Sequence, residues 1–211
     1  MALRIGEIAP DFKAESTQGI ISFHRYIQDH WAILFSHPSD FTPVCTSELG
    51  MVAKLKVEFE KRNTKVLGIS AGTLESHKRW IIDIEETQET IVDFPVIADP
   101  HKKVVHLYDM IHPFFSHSET IRSVFIIDPG KRIKSILIYP ANTGRNFHEI
   151  LRMIDSLQLT ESFKVATPAN WEYGKDCFIL PAVKDEELAT TFPRGFKILK
   201  PYLRTTPQPN L

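Results

Sequence analysis

One cysteine, Cys45, lies where its sequence neighbours could make a thiol into a nucleophile. Residues 31–35 form an apolar run that indicates a buried strand, and an apolar stripe over residues 49–59 indicates a helix. Thr42 suits the N-cap of that helix, and Pro43 suits its first position because no partner for an N–H exists there. Cys45 would then lie in the first helical turn, where unpaired N–H groups favour an anion. The thiolate is the nucleophilic form of cysteine, so the pattern predicts a reactive thiol.

The spacing Pro38-x-x-x-Thr42-x-x-Cys45 resembles the active-site loop of the peroxiredoxins, and the string from Phe35 to Glu48 resembles their one-cysteine subfamily. Arg122, which opens an apolar run, stands where that family carries a catalytic arginine. Further matches to the subfamily occur at residues 139–146, 149–152, 156–160, 166–168, 180–181 and 202–204, and at Trp171. The resemblance therefore extends over nearly the whole chain.

This resemblance implies a thioredoxin-like α/β fold with a C-terminal peroxiredoxin extension. It also implies a thiol-dependent peroxidase that reduces hydrogen peroxide and organic hydroperoxides and acts in antioxidant defence. The thiolate attacks a peroxide oxygen and becomes a sulfenic acid, which an external thiol must recycle. Glutathione with a transferase, glutaredoxin, thioredoxin and ascorbate all remain open as the reductant, and no cofactor is expected.

The resemblance assigns catalytic roles to Cys45, Thr42, Pro38 and Arg122. The Thr42 hydroxyl can bond both the sulfur and the incoming peroxide and align the O–O bond. Pro38 has no N–H and can shield the sulfur from water. Arg122 offers several fixed donors for the thiolate and the developing oxyanion.

Three further residues are predicted to support these four. Glu48 lies one helical turn after Cys45, and Arg145 is the second arginine that matches the subfamily. Together they are expected to form an ion-pair network that orients Arg122. His37 precedes the catalytic proline and is expected either to line the site or to be a packed histidine.

Composition restricts the other classes of function. The 211 residues are 43% hydrophobic and carry 25 basic and 26 acidic side chains, a formal net charge of −1. That balance argues against nucleic acid or an anionic membrane as the partner. No apolar stretch has the length of a membrane span and residues 1–6 do not form a signal peptide, so a cytoplasmic protein is expected. The histidines show no convincing metal spacing, and two cysteines exclude zinc motifs built from paired cysteines.

Strand and helix signals alternate along the first three quarters of the chain, which favours an α/β layer architecture. Strands are expected near residues 31–35, 65–70, 94–98, 123–128 and 132–139, and helices near 43–63, 75–84, 102–109 and 146–159. We predict a peroxidase domain over residues 3–160 and a docking or dimerisation segment over residues 161–211. The second segment is broken by prolines and is expected to lack a core of its own, with Trp171, Phe192 and Phe196 as anchors. A homodimer follows, with the edge of strand 132–139 as one pairing surface.

Three alternatives remain open from the sequence. Some one-cysteine relatives carry a phospholipase serine, but here His30 occupies that position although the partner His24 is present. A hydrolase of that kind needs the hydroxyl, so this activity is disfavoured. A redox sensor or chaperone would use Cys45 oxidation without turnover. Cys177 is expected to pack in the core, yet it could resolve Cys45 if it were exposed.

Overall fold

The structure is a computed structural model and describes residues 3–211. Residues 1 and 2 lie outside the described residues. They belong to residues 1–6, which are predicted not to form a signal peptide. The chain forms two compact units, one that ends at Phe147 and one over His148–Leu211. The functional division predicted after residue 160 is a different boundary, and it stays a prediction.

The first unit is built on a seven-stranded sheet. Its elements in chain order are β1 (Lys13–Ser16), β2 (Gly19–Ser22), α1 (Phe23–Ile27), β3 (Trp31–Ser36), α2 (Pro43–Lys54), α3 (Lys56–Lys61), β4 (Thr64–Ser70), α4 (Leu74–Gln88), β5 (Val96–Ala98), α5 (Lys103–Leu107), β6 (Arg122–Ile127) and β7 (Ile133–Tyr139). The strand order is β2-β1-β5-β4-β3-β6-β7, with β3, β4 and β5 parallel and the remaining pairs antiparallel. This arrangement confirms the predicted thioredoxin-like α/β fold.

Strand β3 is buried along its whole length, as a central strand with both faces covered must be. Ala32 and Leu34 belong to a core cluster that includes Phe23 of α1 and Val105 of α5. Phe35 points to the opposite face, where its ring meets that of Phe94. The end of β3 is therefore held rigidly, and it delivers the chain directly into the loop that precedes Cys45.

Two features of the first unit differ from the sequence predictions. The predicted helix 43–63 is interrupted at Leu55, which separates α2 from α3 and has φ −92° and ψ 4°. Its apolar stripe is nevertheless confirmed, because Leu49, Val52 and Phe59 are fully buried. The β1–β2 hairpin and α1 received no prediction. Gly19 could have indicated the hairpin turn, where its backbone adopts φ +99°, a conformation that favours glycine.

The second unit contains the elements α6 (Phe147–Ser162, which begins on the last residue of the first unit), β8 (Val165–Ala166), β9 (Cys177–Ile179), α7 (Leu188–Thr191), β10 (Lys197–Lys200) and β11 (Leu203–Thr206). Its four strands form an antiparallel sheet in the order β10-β11-β9-β8. The prediction that the C-terminal segment lacks a core is wrong. Its buried cluster consists of Leu159, Val165, Trp171, Cys177, Ile179, Val183, Leu188 and Phe192.

The sequence did not predict that small core because its residues come from two helices, two short strands and the loops between them, so no single periodic stripe marks it. Trp171 and Phe192 are buried anchors, as predicted. Phe196 is 37% exposed and is not an anchor within this unit. A homodimer therefore cannot be argued from the absence of a core, and its support must come from exposed surfaces.

Candidate active site

Cys45 lies in the first turn of α2 and is fully buried. Thr42 is the N-cap residue, with extended backbone angles of φ −119° and ψ 145°, and Pro43 opens the helix. Both positions agree with the sequence prediction. The sulfur therefore lies at a helix N-terminus, where unpaired N–H groups and the helix dipole favour negative charge.

Arg122, the first residue of β6, reaches the sulfur of Cys45. Its Nη1 donates to Sγ at 3.3 Å and to Glu48 Oε2 at 2.7 Å. Its Nε donates to the carbonyl oxygen of Ala141 at 2.7 Å, so the guanidinium is held from two sides. The sheet thus brings together a thiol and an arginine that are 77 residues apart in sequence.

Glu48 is the centre of a buried ion-pair network. Besides the bond from Arg122, it accepts from Nε of Arg145 at 2.9 Å and from Nη2 of Arg145 at 2.6 Å. The backbone N–H of Arg145 also donates to Glu48 at 2.8 Å. The structure therefore brings together both predicted supporting residues, and Arg145 stacks over the rings of Phe35 and Phe147.

The charges of this network are unbalanced without the thiol. Two guanidiniums carry two positive charges, and Glu48 supplies one negative charge. All three side chains are at most 3% exposed, so solvent screens them weakly. A negative charge on Cys45 Sγ or on an oxygen beside it would complete the balance.

Pro38 and Thr42 are in the loop between β3 and α2. The Thr42 hydroxyl donates to the carbonyl oxygen of Ser39 at 2.9 Å and makes no capping bond to α2. Phe41, between them, has φ +54°, which costs a non-glycine residue about 1–3 kcal/mol. Pro38 lines a surface pocket of about 350 Å³ together with Asp40, Ala71 and other residues of this region.

His37 packs inside the protein beside the active-site loop. Its buried ring lies 5.1 Å from the Trp80 ring and 5.7 Å from the His77 ring, measured between centroids. Its Nε2 bonds Asp40 Oδ1 at 2.9 Å, and its Nδ1 has no partner among the described residues. Of the two predicted roles of His37, lining the site or packing, this geometry favours packing. A supporting role of His37 in catalysis stays a prediction.

Asp40 joins His37 and His77 into a cluster that the sequence analysis missed. Burial raises the pKa of the Asp40 carboxyl, but hydrogen bonds from both histidines outweigh that effect and hold the pKa below its usual value. Burial lowers the pKa of His37 more than the Asp40 bond raises it. Asp40 is therefore ionised at neutral pH and can only accept hydrogen bonds, so each ring nitrogen that faces it donates.

Among residues 3–211, this cluster is the group of side chains whose types and spacing could hold a metal ion. The ligand atoms of His37, Asp40 and His77 all lie within 4.8 Å of one another. Each of the two histidines already uses the relevant nitrogen in a bond to the carboxylate. A metal ion would have to replace both protons, so the hydrogen-bonded network explains these residue types without one.

Cys177 lies in β9 and is fully buried in the core of the second unit. Burial raises the pKa of its thiol, which opposes the thiolate form. Both facts support the packing role expected for Cys177.

The positions that match a phospholipase site hold two histidines with local backbone contacts. His24 Nε2 lies 2.7 Å from the carbonyl oxygen of Ala9, and His30 Nδ1 lies 3.2 Å from that of Ile27. His30 supplies no hydroxyl nucleophile.

Within residues 3–211, no helix has both the length and the apolar character needed to cross a membrane.

The comparisons with known proteins agree along the whole chain. Residues 5–136 match the AhpC/TSA family, and residues 156–193 match the C-terminal domain of 1-Cys peroxiredoxin. A 1-Cys peroxiredoxin of Dictyostelium discoideum is 52% identical over 208 residues, which are 99% of this chain and 86% of that protein.

Two solved structures are close neighbours. A cysteine-to-serine mutant of peroxiredoxin 6 of Arenicola marina is 42% identical, with a TM-score of 0.94 and full coverage of both chains. Yeast mitochondrial 1-Cys peroxiredoxin, described as resolved via glutathione/thioredoxin systems, is 46% identical, with a TM-score of 0.90 and coverage of 97% of this chain and 99% of its own. These relatives do not favour a phospholipase or a non-enzymatic sensor. The chain therefore belongs to the peroxiredoxin family, in its one-cysteine group, and is a thiol-dependent peroxidase.

Proposed function

We propose that Cys45 Sγ is the atom that attacks the peroxide, with Arg122, Thr42 and Pro38 as the catalytic residues around it. The observation that carries this proposal is the 3.3 Å bond from Arg122 Nη1 to Sγ at the start of α2. The thiolate sulfur bonds to one peroxide oxygen, the O–O bond breaks, and the other oxygen leaves with the electron pair. Arg122 donors stabilise that departing charge, and the product on Cys45 is a sulfenic acid.

Glu48 and Arg145 act through Arg122 in this proposal. Glu48 accepts from both guanidiniums and so fixes the plane of Arg122 without neutralising it. A fixed donor needs no reorganisation when charge develops on the leaving oxygen, and this makes it effective. Pro38 shields the sulfur, and the Thr42 hydroxyl exchanges its Ser39 bond for one to the peroxide.

We further propose that an external thiol completes the cycle. A first thiol condenses with the Cys45 sulfenic acid to form a mixed disulfide and water, and a second thiol then releases Cys45. The only other cysteine is buried in the core of the second unit, so it is unsuited to this step. The yeast relative is described as using glutathione/thioredoxin systems, which makes these the first reductants to test.

Excess peroxide should inactivate the enzyme by carrying Cys45 to sulfinic acid. Inactivation per turnover should rise with peroxide concentration and fall as reductant is added, because thiol and peroxide compete for the sulfenic acid. Steady-state peroxide consumption with glutathione and glutaredoxin, and then with the thioredoxin system, measures this partition. Mass spectrometry of the Cys45 peptide identifies the product.

Cys177→Ser is the control for that experiment, and it should leave the partition unchanged. A Cys45–Cys177 disulfide that accumulates and protects the wild-type enzyme would contradict the external-thiol proposal.

The protein is proposed to act as a homodimer. Strand β7 lies at an edge of the seven-stranded sheet, and Ile138 on it is 57% exposed. Ile138→Lys should weaken association, because the like charges of a two-fold pair would face each other. Sedimentation at micromolar concentration should show a dimer for the wild type and a shift toward monomer for the variant.

The matched control is Ile82→Lys on α4, a comparably exposed position away from that edge, which should remain dimeric. A fully active wild-type monomer would count against the dimer.

A cytoplasmic location is likewise proposed, and cell fractionation tests it against a mitochondrial one.

A further inference from the structure

The carboxylate of Asp40 accepts hydrogen bonds from its own loop and from α4. Within the loop, Nε2 of His37, the residue after β3, lies 2.9 Å from Oδ1. From α4, His77 Nδ1 lies 2.7 Å and Ser76 Oγ 2.6 Å from Oδ2. The Asp40 side chain is only 5% exposed, so water does not replace these donors easily. One ionised group thus ties the active-site loop to α4.

The packing around this cluster leaves little room for adjustment. A Cβ added at Gly72, just before α4, would lie 2.8 Å from His77 Cε1 and 3.3 Å from Asp40 Oδ2. A real Cβ is essentially never as close as the first of these distances. The backbone before α4 therefore closes over the cluster where only glycine fits.

The residue after Asp40 has a strained backbone. Phe41 has φ +54°, in the left-handed region, although it is neither glycine nor asparagine. Its side chain is half exposed, so burial of the ring cannot be what maintains this conformation. A strained residue persists when its surroundings over-determine it, and the bonds to Asp40 are the adjacent constraint.

We propose that Asp40 is a positioning residue of the peroxidase reaction: its carboxylate clamps the loop to α4 and thereby holds Phe41 in the conformation that places Thr42 at the N-cap before Cys45. This inference rests on the proposed role of Cys45 and Thr42. Asp40 is not itself a catalytic residue, because it acts through the loop backbone. The clamp keeps the peroxide-binding groups in place before the substrate arrives, and displacements of about 1 Å are enough to cost about 100-fold in rate.

The test uses Asp40→Asn, which keeps the shape but cannot accept from all three donors. We expect kcat/KM for hydrogen peroxide to fall by about 10- to 100-fold. The pH profile of Cys45 alkylation by iodoacetamide should not move, since the clamp affects geometry and not thiol ionisation. Adding Phe41→Gly should recover most of the loss, because glycine adopts positive φ without strain.

Two further variants make the result robust. Ser76→Ala removes one donor at a partly exposed site, so the protein should fold normally and lose about 3- to 10-fold in kcat/KM. Asp93→Asn removes an exposed carboxylate elsewhere and should retain the full rate. Thermal melting of each variant confirms that it is folded under the assay conditions.

Wild-type rates in both Asp40→Asn and Ser76→Ala would overturn the inference. A shifted alkylation profile, or no recovery when Phe41→Gly is added, would do so as well. Cys45→Ser is assayed in parallel to separate this inference from the proposed function. Activity retained there would contradict the role of Cys45, whereas loss there with full activity in Asp40→Asn contradicts the clamp alone.

Discussion

Replacing Cys45 with serine should lower peroxide consumption by at least about 1,000-fold. A serine hydroxyl at neutral pH is not ionised to a useful extent, and oxygen cannot form the sulfenic acid on which turnover depends. The bond from Arg122 would remain available, so the site would be intact but would lack its nucleophile. The measurement is steady-state peroxide consumption with a saturating thiol reductant.

Cys177→Ser is the matched control, because it makes the same chemical change in the core of the second unit. That variant should lose some stability, since a hydroxyl replaces a thiol inside an apolar cluster, but should keep its activity per folded molecule. Full activity in Cys45→Ser would overturn the assignment of the nucleophile. Loss of activity in Cys177→Ser while it is folded would make that cysteine part of the cycle.

Arg122→Ala should lower kcat/KM for hydrogen peroxide by about 100- to 1,000-fold. Two contributions have to be separated, thiol ionisation and stabilisation of the transition state. A free thiol of pKa ~8.5 is about 3% ionised at pH 7, so lost ionisation explains at most roughly 30-fold. The remainder must come from the donors that Arg122 directs at the sulfur and the breaking O–O bond.

We would measure kcat/KM from about pH 6 to about pH 10. Over the same range, ultraviolet absorbance would give the fraction of Cys45 present as thiolate. Where Cys45 is fully ionised, the variant should still be at least about tenfold slower than the wild type. If high pH restores the wild-type rate, Arg122 serves ionisation only. Glu48 keeps its bonds to Arg145 in this variant, so the buried carboxylate is not left unpaired.

Two substitutions serve as controls for Arg122→Ala. Arg122→Lys keeps the charge and loses the planar set of donors, so it should recover the ionisation contribution and little of the remainder. Arg79→Ala removes an exposed arginine from α4 and should have no effect on the rate.

The local geometry around Cys45 could be predicted because short-range chemistry determines it. An apolar strand, an N-cap threonine and a proline at the first helical position are properties of neighbouring residues. These local properties are sufficient to predict Cys45 in the first turn of α2, where the structure has it. The alternation of strands and helices likewise indicated the α/β class, because the spacing of apolar residues within each segment distinguishes a strand from a helix.

The C-terminal core was not predicted because part of it depends on pairing between separate short strands. Strand β9 pairs with both β8 and β11, and this pairing turns Cys177 and Ile179 inward. No helical stripe in the sequence marks that arrangement. A β strand gains its burial from its partners, which lie elsewhere in the chain.

The sequence by itself determined the chemistry of this protein, a thiol at a helix start preceded by proline and threonine at set spacings. Only the tertiary structure decided how that thiol is surrounded. Arg122 reaches Glu48 because β6 lies beside β3 in the sheet, and the loop after β7 brings Arg145 to the same carboxylate. Asp40 meets His77 across 37 residues because α4 returns to the loop. The physical reason is range: backbone preferences act over a few residues, whereas a buried charge takes its partners from whatever the fold brings within about 3 Å.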